Sequence, residues 1–191
     1  MLATAARTTT ARTTWVRPAV LAFGLVLALS SCTWFVLPEP VAAPEEVRTD
    51  ALAEALRYIG MEYEWGGDDI MPRGIDCSGL VINAYAYAAS VYGYTLLFRD
   101  TTAAGLHDSY TEPVAAPEPG DLIFMGAADG TAITHVAIFK ERAAGMVLFV
   151  DATDIPDLGV DGVSERSYPD GDARFKSFGR LLIRPRSRGG S

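Results

Sequence analysis

The feature that most constrains this chain is the stretch from residue 63 to residue 81, Tyr-Glu-Trp-Gly-Gly-Asp-Asp-Ile-Met-Pro-Arg-Gly-Ile-Asp-Cys-Ser-Gly-Leu-Val. An aromatic and glycine-rich loop runs into Asp76-Cys77-Ser78-Gly79, and from Cys77 onward the apolar positions Leu80, Val81, Ala84 and Ala88 recur on one helical face. Asp76 suits the N-cap, so Cys77 opens the helix. A thiol there meets unpaired backbone N–H groups and the positive end of the helix dipole, and both favour thiolate over thiol. Two readings follow. Cys77 is a nucleophile presented at a cleft, or a small buried residue closing a helix–loop junction.

The rest of the composition narrows the choice. The chain has 191 residues, 49% of them hydrophobic, which is enough for one domain with a sizeable core. Two cysteines and two histidines make a zinc site built from them unexpected, and no metal or cofactor is called for. The formal charge is −8. Arg7, Arg12 and Arg17 are the only charges in the first 31 residues, and the remainder carries 13 basic against 24 acidic groups. An acidic surface of this kind argues against nucleic acid as a partner.

Residues 1–31 read as a targeting segment. Three arginines precede an apolar run over residues 19–30, too short for a comfortable membrane span and shaped like a signal peptide. The run ends Leu29-Ser30-Ser31-Cys32, which resembles the bacterial lipobox, whose cysteine is acylated and becomes the mature N-terminus. The alternative is an ordinary signal peptide with a chance cysteine. Under the lipobox reading Cys32 carries lipid and anchors the chain to a membrane. Cys77 is then a lone free thiol in an oxidising compartment, which favours a reactive role.

Residues 32–44, rich in Pro, Ala and Val, read as a tether. A single domain is expected over 45–184 and a disordered basic tail over 185–191. Residues 45–59 form an amphipathic helix stopped by Gly60. The helix opened by Cys77 runs to about Tyr92, and a short helix capped by Asp100 covers 101–107. After the proline-rich linker 111–119 the pattern changes to strands at 122–125, 133–139, 146–151 and 175–183, with 155–172 an acidic loop region. Helices first and antiparallel strands second make an α+β fold.

A cysteine nucleophile needs a base and a group to orient it. His107 reads as a solvated residue of the short helix. His135, at the start of a strand, is either a satisfied half-buried residue or the base. If strands 133–139 and 146–151 pair as a hairpin through residues 143–145, Asp151 falls near His135 and can accept its Nδ1–H. Otherwise Asp151 simply ends a strand or starts a turn with Asp154.

Four blocks occur in order: Tyr63-Glu64-Trp65-Gly66-Gly67, Asp76-Cys77-Ser78-Gly79-Leu80-Val81, Pro119-Gly120-Asp121-Leu122-Ile123-Phe124 and His135-Val136-Ala137-Ile138-Phe139. Together they resemble the NlpC-type family of papain-like cysteine peptidases, which cut bacterial cell-wall peptides. The resemblance covers roughly residues 47–184 and implies a small papain-like domain with the nucleophile helix packed on an antiparallel sheet. It implies Cys77 as nucleophile, His135 as base, Tyr63 near the oxyanion, and Asp76 and Ser78 at positions that touch substrate in some members. The third position is usually His, sometimes Asn or Gln. Asp151 stands there instead, which is a departure.

The function this implies is a lipid-anchored, monomeric cysteine endopeptidase of the cell envelope, acting on peptidoglycan stem peptides, with a γ-D-glutamyl–diamino acid bond as the expected target. The lipid, rather than a wall-binding domain, would keep it near its substrate. The rival readings are a catalytically silent envelope module on the same fold, and an amidase or acyltransferase using the same Cys/His pair.

Overall fold

Asp76 caps the helix as its position predicts: its side chain accepts a hydrogen bond from the N–H of Gly79, and the helix runs over Cys77–Val91. The computed structural model describes residues 37–67, 74–156 and 159–187. The apolar run, the lipobox and Cys32 lie outside the described residues, as does most of the expected tail. In chain order the elements are β1 (Val41–Ala42), α1 (Glu45–Arg57), α2 (Cys77–Val91), β2 (Tyr94–Leu96), α3 (Ala103–Ser109), β3 (Thr111–Pro113), β4 (Leu122–Met125), β5 (His135–Ala143), β6 (Met146–Ile155), β7 (Val160–Pro169) and β8 (Phe175–Pro185).

The strands pair antiparallel in the order β1-β8-β4-β5-β6-β7, with β2 and β3 also on β8. Two cores result because the sheet buries both faces. On one face Val47, Ala51 and Ala55 of α1 and Leu80, Val81, Ala84, Tyr85 and Ala88 of α2 pack over Phe124, Val136, Ile138, Val150 and Leu181. On the other face Ile123, Ala137, Phe139, Val147 and Phe149 are covered by Tyr168, Phe175 and Phe178. Guanidinium groups lie over these rings, Arg142 on Phe139 and Phe178 and Arg166 on Phe149 and Tyr168. Each fully buried large side chain contributes about 1.5–3 kcal/mol, so the aromatic back face is as much a core as the helical front.

One ion-pair network ties the layers together. Asp121, fully buried, takes Arg48 from α1 and Arg180 from β8, and both arginines also reach Glu118. Tyr85 of α2 donates its hydroxyl proton to the carbonyl of Gly120 beside it. The Pro-Gly-Asp turn is thereby fixed to both helices and to the sheet.

The sequence expectations need four corrections. Residues 155–172 are not a loop region: β7 pairs with β6 over ten residues, from Ile155↔Val160 to Met146↔Pro169. Its polar composition hid it, because β7 ends the sheet order and an edge strand needs little apolar alternation. The short strands β1, β2 and β3 were also not anticipated; their ladders are supplied by β8, and β1 falls inside the segment read as a tether. The cap of α3 is Thr102, not Asp100. Finally, β5 and β6 extend beyond their apolar cores to Ala143 and Ile155.

Candidate active site

Two elements bring the reacting groups together. Cys77 opens α2 at the N-terminal end, and His135 opens β5 on the strand directly beneath it. The loop before α2 is held tightly. The N–H of Asp76 donates to the carbonyl of Gly67 at 3.1 Å and that of Ile75 to the carbonyl of Glu62 at 3.1 Å, while Tyr63 and Ile75 form an isolated parallel bridge. Gly79 has no room for a side chain, because a Cβ there would run into the carbonyl oxygen of Gly67. The Asp-Cys-Ser-Gly order is therefore a packing requirement as well as a chemical one.

Asp76 spends both oxygens on this junction. Its Oδ1 accepts from the N–H of Gly79 at 2.7 Å and from the hydroxyl of Ser78 at 2.9 Å, and its Oδ2 accepts from the N–H of Gly66 at 3.1 Å. Asp76 and Ser78 do line a cavity of about 180 Å³ with Trp65, Gly66, Gly67, Asp100 and Thr102. Their polar contacts within the chain run to each other and to the backbone N–H groups of Gly66 and Gly79, which fixes them in the wall of that cavity.

Cys77 is half-buried and unpaired, and its side chain shares a hydrogen bond with His135. Across the ring, Nε2 of His135 lies 2.6 Å from Oδ2 of Asp151. The hairpin forms as expected, with β5 and β6 joined through Ala144 and Gly145. The ring nitrogen differs: Asp151 takes Nε2, not Nδ1. Strand spacing alone places the two residues near one another but cannot fix which edge of the ring turns toward which neighbour.

The electrostatics follow from this geometry. Burial disfavours the imidazolium of His135, but the hydrogen bonds to Asp151 and Cys77 outweigh it and bring its pKa up to about 9. Burial pushes Asp151 upward, yet hydrogen bonds from His135 and Arg166 hold its carboxyl below the usual range. His135 thus carries its proton at neutral pH against an ionised carboxylate. Tyr63 stands on the other side: burial, with the charges of Cys77, Asp76 and Asp154 nearby, pushes its phenol up to about 12, so it stays a hydrogen-bond donor. The N–H of Cys77 sits in the first helical turn, where no intrahelical carbonyl precedes it.

The other candidates fall elsewhere. His107 has its Nδ1 2.6 Å from Asp108 and packs edge-on against Phe124, so it is less solvated than expected and no part of the array. Asp154 is exposed near the end of β6 and acts on Tyr63 rather than on His135. Sequence reasoning missed Arg166. It donates from Nε to Oδ1 of Asp151 at 2.9 Å and from Nη2 to Oδ2, and from Nη1 to the hydroxyl of Tyr168 at 2.8 Å. The only hint in the sequence was an arginine and a tyrosine two residues apart, and that became legible only with β7 recognised as a strand.

A helix-start cysteine beside a strand histidine, itself bonded to a carboxylate on the next strand, is the arrangement that the sequence blocks imply. Residues 60–167 match the family described as NlpC/P60. The chain belongs to the NlpC/P60 family. Within it, the chain is 38% identical over 104 residues to a protein of Bacillus subtilis named bifunctional muramidase/DL-endopeptidase CwlT, covering 53% of this chain and 29% of that one. It is 37% identical over 90 residues to the probable endopeptidase p60 of Listeria seeligeri, covering 46% of this chain and 15% of that one. The chain thus spans less than a third of the length of these curated relatives. Among solved structures, an NLP/P60 family protein of Staphylococcus aureus, described as similar to lipoprotein, superposes with a TM-score of 0.54 at 28% identity, over 75% of this chain and 44% of that one. An NlpC/P60 family protein from Bacillus cereus shares the fold with a TM-score of 0.51 at 19% identity, over 74% of this chain and 41% of that one.

Proposed function

We propose that this chain is a cysteine endopeptidase that hydrolyses peptide bonds in peptidoglycan stem peptides, held at the bacterial membrane by lipid on Cys32. The observation that carries the enzymatic reading is the continuous array Cys77–His135–Asp151 at the N-terminus of α2. Cys77 attacks the scissile carbonyl as a thiolate beside the imidazolium. The N–H of Cys77 and the hydroxyl of Tyr63 are the donors available to the oxyanion. His135, protonated at neutral pH, gives its proton to the leaving amine. Water then enters, His135 acts as base, and the thioester opens to release the acid.

A γ-D-glutamyl–diamino acid bond is the target favoured by the DL-endopeptidase name of the Bacillus relative. Lipid anchoring is favoured by the Leu29-Ser30-Ser31-Cys32 order and by the lipoprotein description of the Staphylococcus structure. Digestion of purified muropeptides, followed by mass spectrometry, tests the activity. Products split between D-glutamate and the diamino acid are expected, and none with Cys77→Ala. Intact muropeptides with the wild-type protein would end the peptidase reading. For the anchor, Cys32→Ser should move the protein out of the detergent phase; a variant that still partitions with membrane lipid would contradict lipidation.

A further inference from the structure

Asp151 differs from an ordinary third catalytic group in what stands behind it. It is fully buried, and it shares its charge between the ring of His135 and a two-pronged contact from Arg166. Arg166 comes from β7, whose register sets Ser164 opposite Asp151 and Arg166 opposite Phe149. The guanidinium is fixed on every side. It lies 5.4 Å from the ring centroids of both Phe149 and Tyr168, and its remaining nitrogen bonds the Tyr168 hydroxyl. Such a planar fork orients a carboxylate in two dimensions, which a lysine cannot do.

We propose that Arg166 is a positioning residue for catalysis: it clamps Asp151 so that one oxygen is always turned to Nε2 of His135, and it carries the countercharge that lets a carboxylate occupy this buried position. The physical need is clear. A neutral group in the third position could be buried beside an imidazole with little penalty, whereas an ionised carboxylate needs more than one partner. Arg166 is the second partner. Among the described residues, the charged and titratable groups facing the pair are Cys77 from α2, Arg166 and Tyr168 from β7, Arg174 from the turn before β8, and Tyr63, through Cys77, from the loop before α2.

The proposal rests on the Cys77–His135 chemistry above, but its first readout needs no substrate. Imidazole NMR of the full chain should show the His135 titration moving upward in Arg166→Met, because a nearby positive charge has gone. On muropeptides, kcat should fall about tenfold to a hundredfold with KM little changed, the scale of a small misplacement of a reacting group. Arg166→Lys should keep the titration near that of the wild type and recover only part of kcat. Asp151→Asn/Arg166→Met should be more stable than Arg166→Met alone, since no buried carboxylate is left with His135 as its one remaining charged partner, and no slower than Asp151→Asn. Should Arg166→Met fail to fold, Arg166→Lys and the double variant carry the test. A titration and kcat that stay at wild-type values while only the melting temperature drops would overturn the proposal and leave Arg166 structural. Wild-type protein inert toward muropeptides, with the NMR shift still present, would instead overturn the substrate reading.

Discussion

At the scale of single residues, the site turns on how one carboxylate is used. Asp151→Asn keeps a group of the same shape beside His135 but removes the charge that holds the imidazolium and leaves the Arg166 guanidinium without its buried partner. In serine triads the comparable change lowers kcat roughly ten-thousand-fold through the wrong tautomer. A smaller fall is expected here, because the proton of the His135 ring is also held by its interaction with Cys77 and not by Asp151 alone. Steady-state kinetics with KM little changed and kcat reduced would fit this; an unchanged kcat would make Asp151 a structural acid only. The pKa of His135, raised to about 9 from 6.5, sets the alkaline limit. Activity should persist through neutral pH and fall as pH passes about 9, when the proton for the leaving amine is gone. A kcat/KM profile that declines near pH 7 would contradict the ion-paired ring.

At the scale of elements, the β5–β6 hairpin delivers Asp151 to His135, and its turn carries a visible flaw. Ala143 pairs with Met146 across a two-residue loop, and both loop residues have positive φ, 51° at Ala144 and 77° at Gly145. This is the geometry of a type I′ turn, which favours Asn-Gly. An alanine there carries a left-handed penalty of about 1 kcal/mol. Ala144→Asn should therefore raise stability by up to about 1 kcal/mol without touching the site. Thermal melting checks this, and a lower melting temperature would mean that Ala144 is held by its surroundings rather than strained. The same hairpin shows how legible the site was. Its strands are marked by alternation at Val136 and Ile138 and its turn by Ala-Gly, so the sequence offered His135 and Asp151 as neighbours on condition that the hairpin paired. Arg166 was not among them, because β7 offers no apolar alternation and its strand state comes from the ladder with β6.

At the scale of the whole molecule, stability is shared between two apolar cores and one buried ionic knot. Asp121 is fully buried and bound by Arg48 and Arg180, so Asp121→Ala leaves Arg48, only 5% exposed, with Glu118 as its remaining ion-pair partner among the described residues. Breaking a buried pair from one side destabilises by about 3–5 kcal/mol, and the lower end is expected because Glu118 remains. Denaturant unfolding measures this directly; a loss under about 1 kcal/mol would place the network with surface ion pairs. The His135–Asp151 pair also sets a global pH trend. Since His135 binds its proton more tightly in the folded state than at the ordinary value of 6.5, the stability it contributes is complete below about pH 6.5 and is lost as pH rises to about 9. The melting temperature should decline across that window, and less so in His135→Ala.

The sequence by itself determined the α+β class, the helix that Cys77 opens, the strand that His135 opens and the family to which the chain belongs. Those features are local: a capping aspartate, a glycine where no Cβ fits, and alternating apolar residues act over a few positions and leave their mark in order along the chain. Only the tertiary structure decided the rest. It turned Nε2 rather than Nδ1 toward Asp151, it spent the oxygens of Asp76 on the helix start, it made a strand of β7, and through that strand it set Arg166 against Asp151. Each of these depends on which backbone lies alongside which. A polar edge strand and a buried arginine are stabilised by partners far away in sequence, so no short window of residues records them.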